Sequence, residues 1–472
     1  MTTPSPWMVL PFILLLSLIA LAPLFLSNLW SRYYPLVCLV LGTIVLIYYF
    51  FGLRTGSRIL EVGGDYIRFI VLVGSLFVVS GGIHITVKGE ATPFANVMFL
   101  LIGALVSNLI GTTGASMLLI RPWIRMNKYR ITGYHVVFFI FIISNVGGSL
   151  TPIGDPPLYL GYLKGIPFWW VASRCWPIWL AGVGILLALF YRVDRRNYLR
   201  APRDVRDRLA EPPDRWHFDG LSNIWPLGVI LGAAFLENPP FLREVLIAGA
   251  AVASYFTTPR SVHESNNFNF HPIREVAILF AAIFATMMPA LDWLQGNAGK
   301  LGDPTVTFFY TGSGALSSVL DNAPTYLTFL SAIIGAFVDP GLVGQIQQSI
   351  QSHAVGLTSA VGPHADQIRQ TLDALQTYHP IQVASGTVDI GTINICCLLG
   401  NTACHKFIMA ISIGSVFFGA NTYIGNGPNF MVKAIADQNK VHTPGFLEYI
   451  WRYTVPFMLP MLIVVWWFFF RD

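Results

Sequence analysis

Residues 144–159 read SNVGGSLTPIGDPPLY, and this stretch decides the fold. It lies between two long apolar runs, which places it at membrane depth, yet it contains three glycines, three prolines and one aspartate, Asp155. Glycine and proline interrupt helices, and backbone freed from helical bonding is tolerated inside a bilayer only where protein or a wet cavity surrounds it. The stretch therefore predicts a helix that breaks inside the membrane, and its carboxylate is a candidate functional group.

A second stretch, residues 419–430, reads GANTYIGNGPNF and mixes glycine, proline and polar residues in the same way within an apolar run. Two broken helices in corresponding halves of a membrane protein typically form one binding site near the middle of the bilayer. The sequence therefore predicts that these two stretches meet.

The composition is that of a polytopic membrane protein. Of the 472 residues, 54% are hydrophobic and only 11% are charged, against about 25% charged in an ordinary soluble domain. The net charge of +5 is small, and nothing indicates a nucleic-acid partner. Because the sequence shows no phosphate-binding loop, haem-ligand spacing or nucleophile triad, no cofactor and no enzymatic activity are predicted.

Apolar runs that approach or reach the roughly 20 residues of a spanning helix occur throughout the chain. Those interpreted as continuous spans are residues 8–26, 35–51, 66–85, 168–191, 224–236, 241–256, 273–291 and 449–470. Two further runs, at about 94–120 and about 305–336, carry polar residues and glycine at their middle, which predicts re-entrant hairpins. Broken helices are predicted at about 131–163 and about 407–435. The predicted fold is therefore all-α.

The order of these elements repeats along the chain. GALVSNLIGTT, from Gly103, aligns with GALSSVLDNAP, from Gly314, and IGDPP, from Ile153, aligns with IGNGP, from Ile424. Each half then has about five transmembrane helices with one re-entrant hairpin and one broken helix. Because five crossings is an odd number, the halves are predicted to insert with opposite orientation, as an inverted repeat.

The repeat gives the predicted domain boundaries. Residues 1–191 form the first repeat, residues 192–221 a charged cytoplasmic linker and residues 222–472 the second repeat. A polar insertion at about 338–388 is expected to form amphipathic helices outside the membrane.

Two basic segments indicate which side of the membrane faces the cytoplasm. Residues 121–130 contain three arginines and one lysine with no acid, and residues 192–217 contain eight arginines against five acids. The positive-inside rule places both segments in the cytoplasm. Arg54 and Arg58 oppose this topology, which puts their loop outside. The expected location is the inner (plasma) membrane, with lipid as the surrounding partner.

Oxygen-bearing side chains collect at all four interruptions. Hydroxyls, amide oxygens and freed backbone carbonyls are hard ligands that suit Na⁺. We expect the following side chains to converge as an ion or substrate site: Ser107, Asn108, Thr112 and Thr113 of the first hairpin; Asn145, Ser149, Thr151 and Asp155 of the first broken helix; Ser318, Asp321, Asn322 and Thr325 of the second hairpin; and Asn421, Thr422, Asn426 and Asn429 of the second broken helix.

The two aspartates, Asp155 and Asp321, indicate that the site binds a cation, because carboxylates attract a cation and repel an anion. Burial disfavours the charged form of a carboxylate, so Na⁺ and H⁺ compete for it. Either aspartate is also suited to capping a helix N-terminus, and Pro156 and Pro157 after Asp155 are typical first-turn residues. Of the two, the sequence favours Asp321 as the ion ligand.

Charged residues and histidines beside the spans are interpreted as structural. His84 and His135 lie near span ends, and Asp292 is a boundary charge. Lys164 and Lys433 follow the two broken helices and are expected to extend to the membrane interface.

At these residues the chain resembles the ion transporter superfamily. SNVGGSLTPIGDPP, from Ser144, is similar to the signature of arsenite-permease-like and NhaD-like members, and LSSVLDNAPT, from Leu316, is similar to their hairpin motif. The longer TPIGDPPLYLGYLKGIPFWW, from Thr151, resembles a subgroup labelled as citrate transporters or sodium:proton antiporters. The resemblance implies a scaffold domain, a transport domain with two hairpins, elevator-type alternating access and often a homodimer.

The chain departs from related patterns in both hairpins and after the paired prolines. Divalent-anion symporters of the superfamily carry Ser-Asn-Thr at both hairpin tips, whereas this chain has Leu109 after the first Ser-Asn and the pair Asp321-Asn322 in the second hairpin. Leu158 stands where arsenite-permease-like members have asparagine after the paired prolines. The hairpin tips therefore favour ion exchange over carboxylate symport.

The sequence thus predicts a secondary active transporter that exchanges Na⁺ for H⁺. A Na⁺-coupled symporter of citrate, a dicarboxylate or another anion is the alternative of the same class. A non-transporting membrane scaffold subunit or a membrane enzyme is the alternative of another class, and the internal repeat argues against both.

Overall fold

A computed structural model describes residues 4–86, 92–200, 217–236, 241–297, 302, 304–351 and 364–472. Nearly all regular structure in these ranges is helical, and two short strands, β1 (His84–Thr86) and β2 (His217–Asp219), pair antiparallel. The helices are α1 (Leu10–Phe25), α2 (Ser27–Ile47), α3 (Gly56–Gly81), α4 (Pro93–Met126), α5 (Gly133–Ile142), α6 (Pro156–Leu163), α7 (Trp170–Arg200), α8 (Ile224–Ala233), α9 (Leu242–Thr257), α10 (Arg260–Ser265), α11 (His271–Asn297), α12 (Val306–Ser317), α13 (Asn322–Phe337), α14 (Pro340–Gln351), α15 (Ala365–Tyr378), α16 (Pro380–Ser385), α17 (Ile390–Gly400), α18 (His405–Phe418), α19 (Gly427–Gln438) and the partly π-helical α20 (Phe446–Phe470).

The predicted all-α polytopic membrane fold is confirmed. Within the described ranges, eight helical segments are long and apolar enough to cross a membrane: Pro6–Pro23, Asn28–Gly52, Gly56–Gly81, Pro93–Met126, Trp170–Arg200, His271–Asn297, Thr402–Asn421 and Phe446–Phe470. Large apolar side chains such as Leu39, Trp225 and Phe256 remain exposed, as expected of a surface that faces lipid. The sequence-predicted spans at 224–236 and 241–256 correspond to the shorter helices α8 and α9.

The first predicted hairpin is formed by α4, which reverses direction at Gly111. This glycine has φ 78° and ψ 155°, in the region that only glycine enters at little cost. Asn96 Nδ2 donates to Asn127 Oδ1 at 2.8 Å, and Phe99 stacks on Trp123 with ring centroids 5.4 Å apart. A continuous helix would separate Asn96 from Asn127 by about 46 Å. The α4 segment is therefore two antiparallel helices rather than one span.

Helices α12 and α13 form the second predicted hairpin, with Asp321 at the turn. Phe329 of α13 packs against Phe308 and Phe309 of α12, with ring centroids 6.2 Å apart in both pairs. A Cβ at Gly312 would lie 3.1 Å from the same Phe329 ring, so the two helices pack closely along their length.

Both predicted broken helices are present. Helix α5 ends at Ile142 and α6 begins at Pro156, whereas α18 ends at Phe418 and α19 begins at Gly427. A single 3₁₀ turn interrupts each unwound segment. Freed carbonyl and amide groups are therefore available in two places within the protein interior.

The helices pack as two groups. In the first, which contains α1, α2, α3, α9 and α11, Phe69 of α3 stacks on Phe280 of α11 with ring centroids 4.7 Å apart. The second contains the two hairpins, the two broken helices, α7 and α20. They touch along two faces, α3 against α4 and α11 against α13. At the first face, a Cβ on Gly114 of α4 would lie 3.2 Å from Ser80 Oγ of α3. The division into a scaffold and a transport domain, and the opposite insertion of the two repeats, stay predictions.

The two basic segments differ from the expected free loops. Residues 121–126 belong to α4, and Arg130 is only 7% exposed because it pairs with Asp194 of α7. The predicted linker at 192–221 begins later than expected because α7 continues to Arg200. Residues 201–216 of that linker lie outside the described residues. The sequence could not show the Arg130–Asp194 pair because its partners are far apart along the chain.

Arg58 lies in the first turn of α3 rather than in a loop. Its guanidinium contacts Glu61 at 2.8 Å and Asp292 at 2.7 Å, so Asp292 is a paired boundary charge. Sidedness in the membrane stays a prediction.

The predicted insertion at 338–388 contains α14, α15 and α16, while residues 352–363 lie outside the described part of the chain. Helix α15 is amphipathic because it buries Leu372 and Leu375 while its other face is exposed.

Candidate functional site

Asp155 lies at the point where both hairpins and both broken helices meet. It is 1% exposed, and its carboxylate accepts a hydrogen bond from Thr112 Oγ1 of the first hairpin at 2.6 Å. Asn426 Nδ2 of the second broken helix donates to it at 3.3 Å, and Asn322 Nδ2 of the second hairpin donates to its other oxygen. Through the Asp155 carboxylate, the first broken helix is therefore joined to both hairpins and to the second broken helix.

The Asp155 side chain does not cap its own helix. The residue occupies the N-cap position of α6, but its carboxylate makes no hydrogen bond to a backbone N–H of that helix. A capping role would direct the oxygens along α6, whereas here they point to neutral donors on other elements. The capping interpretation of Asp155 is therefore wrong.

Asparagines connect the two broken helices. Asn145 Nδ2 donates to Asn429 Oδ1 at 2.7 Å, and Asn426 Nδ2 donates to Asn145 Oδ1 at 3.1 Å. Asn429 Nδ2 also donates to the Thr422 carbonyl at 2.9 Å, inside its own unwound segment. These bonds satisfy polar groups that would be costly if left unpaired in the interior, and they fix the two unwound segments against each other.

Equivalent contacts attach each hairpin to its broken helix. Thr151 Oγ1 donates to the Asn108 carbonyl at 2.6 Å, and Thr422 Oγ1 donates to the Ser318 carbonyl at 2.7 Å. The two threonines are 271 residues apart (422 − 151), which is also the separation of IGDPP and IGNGP (424 − 153). This correspondence supports the predicted internal repeat.

Close backbone crossings occur at the same repeated positions. A Cβ on Gly154 would lie 2.1 Å from the Gly148 carbonyl oxygen, and a Cβ on Gly425 would lie 2.6 Å from the Gly419 carbonyl oxygen. Because no real Cβ makes such contacts, each unwound segment can fold back on itself only with glycine at these positions.

Asp321, which the sequence favoured as the ion ligand, has a different local role. Its Oδ1 accepts the Ala323 backbone N–H at 3.1 Å and caps α13, while Thr325 Oγ1 donates to the Asp321 carbonyl at 3.0 Å. Asp321 is partly exposed and lies close enough to Asp155 for the two charges to interact. It flanks the centre formed by Asp155 rather than occupying it.

Several other predicted side chains hold backbone rather than face the centre. Ser107 Oγ donates to the Ile143 carbonyl at 2.9 Å, and Asn108 Nδ2 donates to the Gly147 carbonyl at 2.6 Å. The predicted residues whose donors bond mainly to backbone carbonyls are Ser107, Asn108, Ser149, Thr151, Ser318, Thr325 and Thr422. Thr113 lines a small cavity of about 30 Å³ between α3 and α4.

Two buried amide oxygens near these segments have no hydrogen-bond donor. They belong to Asn322, whose Nδ2 contacts Asp155, and to Asn421, whose Nδ2 donates to Ser318 Oγ at 2.8 Å. In the described ranges, no Lys or Arg side chain lies within ion-pair distance of Asp155 or Asp321. The centre thus offers one carboxylate and open amide oxygens without a neutralising cation of its own.

Three half-helices begin at this centre. Helix α6 starts directly after Asp155, α13 starts at Asn322 and α19 starts directly after Asn426. Each helix N-terminus carries a partial positive charge of about half an elementary charge. These ends stabilise the Asp155 carboxylate and add positive potential beside it.

Sequence reasoning missed a second buried carboxylate, Asp194. It pairs with Arg130, accepts from Tyr134 Oη at 2.8 Å and from Asn96 Nδ2 at 3.0 Å, and contacts His135 Nε2 at 3.1 Å. This cluster ties the open end of the first hairpin to α5 and α7, and it agrees with a structural role for His135. In the sequence, Asp194 follows an apolar run and has arginines on both sides, a pattern that indicates a solvent-exposed charge of the linker.

Comparison with known families matches this architecture to one of them. A family model described as "Putative citrate transport" covers residues 1–470, which include both hairpins and both broken helices. No curated protein matches the chain at a significant level. Since the match extends over practically the whole chain, the protein belongs to the family described as "Putative citrate transport".

Proposed function

We propose that this member of a transporter family is a secondary active transporter in which Asp155 binds a cation and a proton in turn, so that Na⁺ is exchanged for H⁺ by alternating access. The single observation that carries the proposal is the setting of Asp155. Its carboxylate is buried, contacts neutral donors from three other interrupted elements, and has no Lys or Arg partner among the described residues.

A buried carboxylate with no Lys or Arg partner favours cation or proton binding, because hydrogen bonds and helix ends offset only part of the cost of an ionised group in a low-dielectric interior. The site can lower that cost by taking up Na⁺ or by taking up H⁺, and it cannot hold both on the same oxygens. Competition of this kind couples the two ions without a third component.

The neighbouring amides provide the remaining oxygen ligands. Asn322 donates its Nδ2 to Asp155 while its Oδ1 has no donor. Rotation of that amide by a half turn exchanges the two atoms, which brings an oxygen to a cation held by Asp155. Thr112 Oγ1 lies 2.6 Å from Asp155 and adds a hydroxyl oxygen. Within the described ranges no group of three His, Cys, Asp or Glu side chains suits a metal ion, so amide and hydroxyl oxygens would complete the shell around Na⁺.

Alternating access is proposed to be of the elevator type. The group that contains Asp155 packs against α3 and α11 mainly through α4 and α13, and in this proposal it slides along those two helices as a body while they stay fixed. A homodimer formed through the fixed helices, in the inner (plasma) membrane, is part of this proposal.

A second candidate is cation-coupled symport of citrate or a dicarboxylate. The family description favours it directly. The three helix N-termini at the centre also favour it, because their partial positive charges suit an anion once a cation has neutralised Asp155.

Flux into proteoliposomes tests the proposal. Purified protein is reconstituted with a pH-sensitive dye trapped inside, and Na⁺ is added outside. Na⁺-evoked proton efflux without citrate supports Na⁺/H⁺ exchange. Cation-dependent uptake of radiolabelled citrate or succinate supports the symport candidate instead, provided that Na⁺ evokes no proton flux when citrate and succinate are left out. The absence of both fluxes in vesicles that contain folded protein contradicts transport of either kind.

A further inference from the structure

A cavity of about 460 Å³ lies at the end of the bundle where the chain enters the first broken helix. One wall is Thr132–Tyr134 at the start of α5, and the opposite wall is the segment that follows the second broken helix, with His442 and Pro444. The end of α7 and the start of α20 close the sides. Helix α5 has 10 residues, so its length of about 15 Å separates the cavity from the unwound centre.

Positively charged side chains dominate the rim of this cavity. Arg196 and Arg200 of α7 and Arg452 of α20 line it together with His442. Among the described lining residues the one acid, Glu448, is already paired with Arg452 at 2.9 Å. Arg196 and Arg200 are exposed, are one helical turn apart, and have no ion-pair partner in the part of the chain that the structure describes. Within the described residues, neither guanidinium group is committed to a carboxylate, so both are available to bind an anion.

The floor of the cavity adds an unsatisfied donor. Tyr453 is 8% exposed and lines the cavity, yet its hydroxyl makes no hydrogen bond to any described residue. Gly133 lies next to it, and a Cβ there would be 3.0 Å from that hydroxyl, so any larger residue would crowd the floor. Among the other polar wall residues, Asn197 Nδ2 donates to Tyr134 Oη at 2.8 Å.

We propose that this cavity binds a small anion with two or more carboxylate or phosphate groups. Arg196 and Arg200 contact the charged groups at the rim, and the Tyr453 hydroxyl donates to an oxygen at the floor. Guanidinium groups suit this role because their planar N–H donors match carboxylate and phosphate oxygens. The site is separate from Asp155 and does not depend on which ion the protein transports.

The anion has two possible sources, a soluble metabolite or the headgroup of an anionic lipid, and the experiment separates them. In one arm, full-length protein in an uncharged detergent is titrated calorimetrically with citrate and with inorganic pyrophosphate. In the other arm, protein in nanodiscs of phosphatidylcholine is compared with protein in nanodiscs that also contain phosphatidic acid, and retained lipid is measured by mass spectrometry. Saturable binding in the first arm supports a soluble anion, and selective retention of phosphatidic acid in the second supports a headgroup.

Variants assign the binding to the cavity. The double variant R196Q/R200Q is expected to weaken binding roughly tenfold or more because it removes two charge-assisted contacts. Y453F removes only the hydroxyl and is expected to weaken binding about fivefold. The matched control R192Q/R195Q removes two exposed charges from the same helix outside the cavity lining and should leave the affinity unchanged.

Two results overturn the proposal. One is the absence of both soluble-anion binding and selective lipid retention in the wild-type protein. The other is binding that R196Q/R200Q and Y453F leave unchanged although both variants elute as folded protein on size exclusion. Neither result bears on Asp155, because the readout is binding rather than flux.

Discussion

Thr112 Oγ1 donates a hydrogen bond of 2.6 Å to Asp155, and this bond joins the tip of the first hairpin to the unwound segment of the first broken helix. Thr112 is 1% exposed, so no water replaces the hydroxyl if it is removed. T112V, which keeps the shape of the side chain, is expected to raise the KM for Na⁺ about tenfold, because a hydrogen bond to a charged group contributes roughly 1.5–3 kcal/mol. T112S keeps the hydroxyl and should stay within about twofold of the wild type. Equal KM values in T112V and wild-type proteoliposomes would contradict a role for this bond.

Asn429 bonds to the first broken helix and also holds the unwound segment of its own broken helix. It is fully buried, accepts from Asn145 Nδ2 at 2.7 Å and donates to the carbonyls of Gly419 and Thr422. N429A leaves these partners without a bond, and it should lower the free energy of unfolding by at least ~2 kcal/mol. Thermal unfolding in detergent measures the loss. N439A, which removes one bond from an exposed asparagine, is the control and should change stability by less than about 0.5 kcal/mol.

The close backbone crossing at Gly154 predicts a severe effect of a single methyl group. A Cβ there would lie 2.1 Å from the Gly148 carbonyl oxygen, so G154A must displace backbone in the unwound segment that carries Asp155. We expect a loss of more than ~2 kcal/mol in the free energy of unfolding. In G184A the new Cβ meets nothing within 4 Å on α7, and this variant should be neutral or more stable by up to about 1 kcal/mol. Similar melting temperatures for the two variants would show that the crossing is not as tight as described.

Lys164 links the end of the first broken helix to α3. Its Nζ lies 2.7 Å from Asp65 and 3.3 Å from Glu61. Any sliding along α3 of the helix group that contains Asp155 must therefore break these ion pairs. K164Q is expected to destabilise the protein by about 1 kcal/mol and to increase the rate of opening, measured as hydrogen exchange of α6. K433Q is the matched control after the second broken helix, because the ion-pair partner of Lys433 among the described residues is Asp437 of its own helix, at 2.6 Å. Identical exchange of α6 in K164Q and wild type would argue against a link between the groups.

The positions of the two hairpins and two broken helices could be predicted from the sequence because their cause is local. Gly111, and the glycine and proline residues before Asp155, interrupt helices whatever surrounds them. The correspondence between Thr151 and Thr422 could also be predicted, because both occupy the same position in the repeated sequence. The sequence was therefore sufficient to predict the interrupted helical elements and most of the residues that come together near Asp155.

The choice between Asp155 and Asp321 could not be made from sequence. Both precede a helix, and both could cap it. Only packing decides that Asp321 bonds the Ala323 backbone N–H while Asp155 faces Thr112 and Asn322 on other elements. The same limit explains why the sequence did not reveal the role of Asp194. Its partner Arg130 is distant in the chain and lies in a segment that the sequence pattern indicates to be a free basic loop.

The central claim is that Asp155 rather than Asp321 carries the coupled ions. D155N removes the charge from the shared carboxylate, whereas D321N keeps a good N-cap, because asparagine caps helices about as well as aspartate. Both variants are reconstituted at equal protein amounts, and Na⁺-evoked proton efflux is compared with that of wild type. The account predicts that D155N loses the flux and that D321N retains a measurable part of it. Full flux in D155N, or loss in D321N alone, would contradict it.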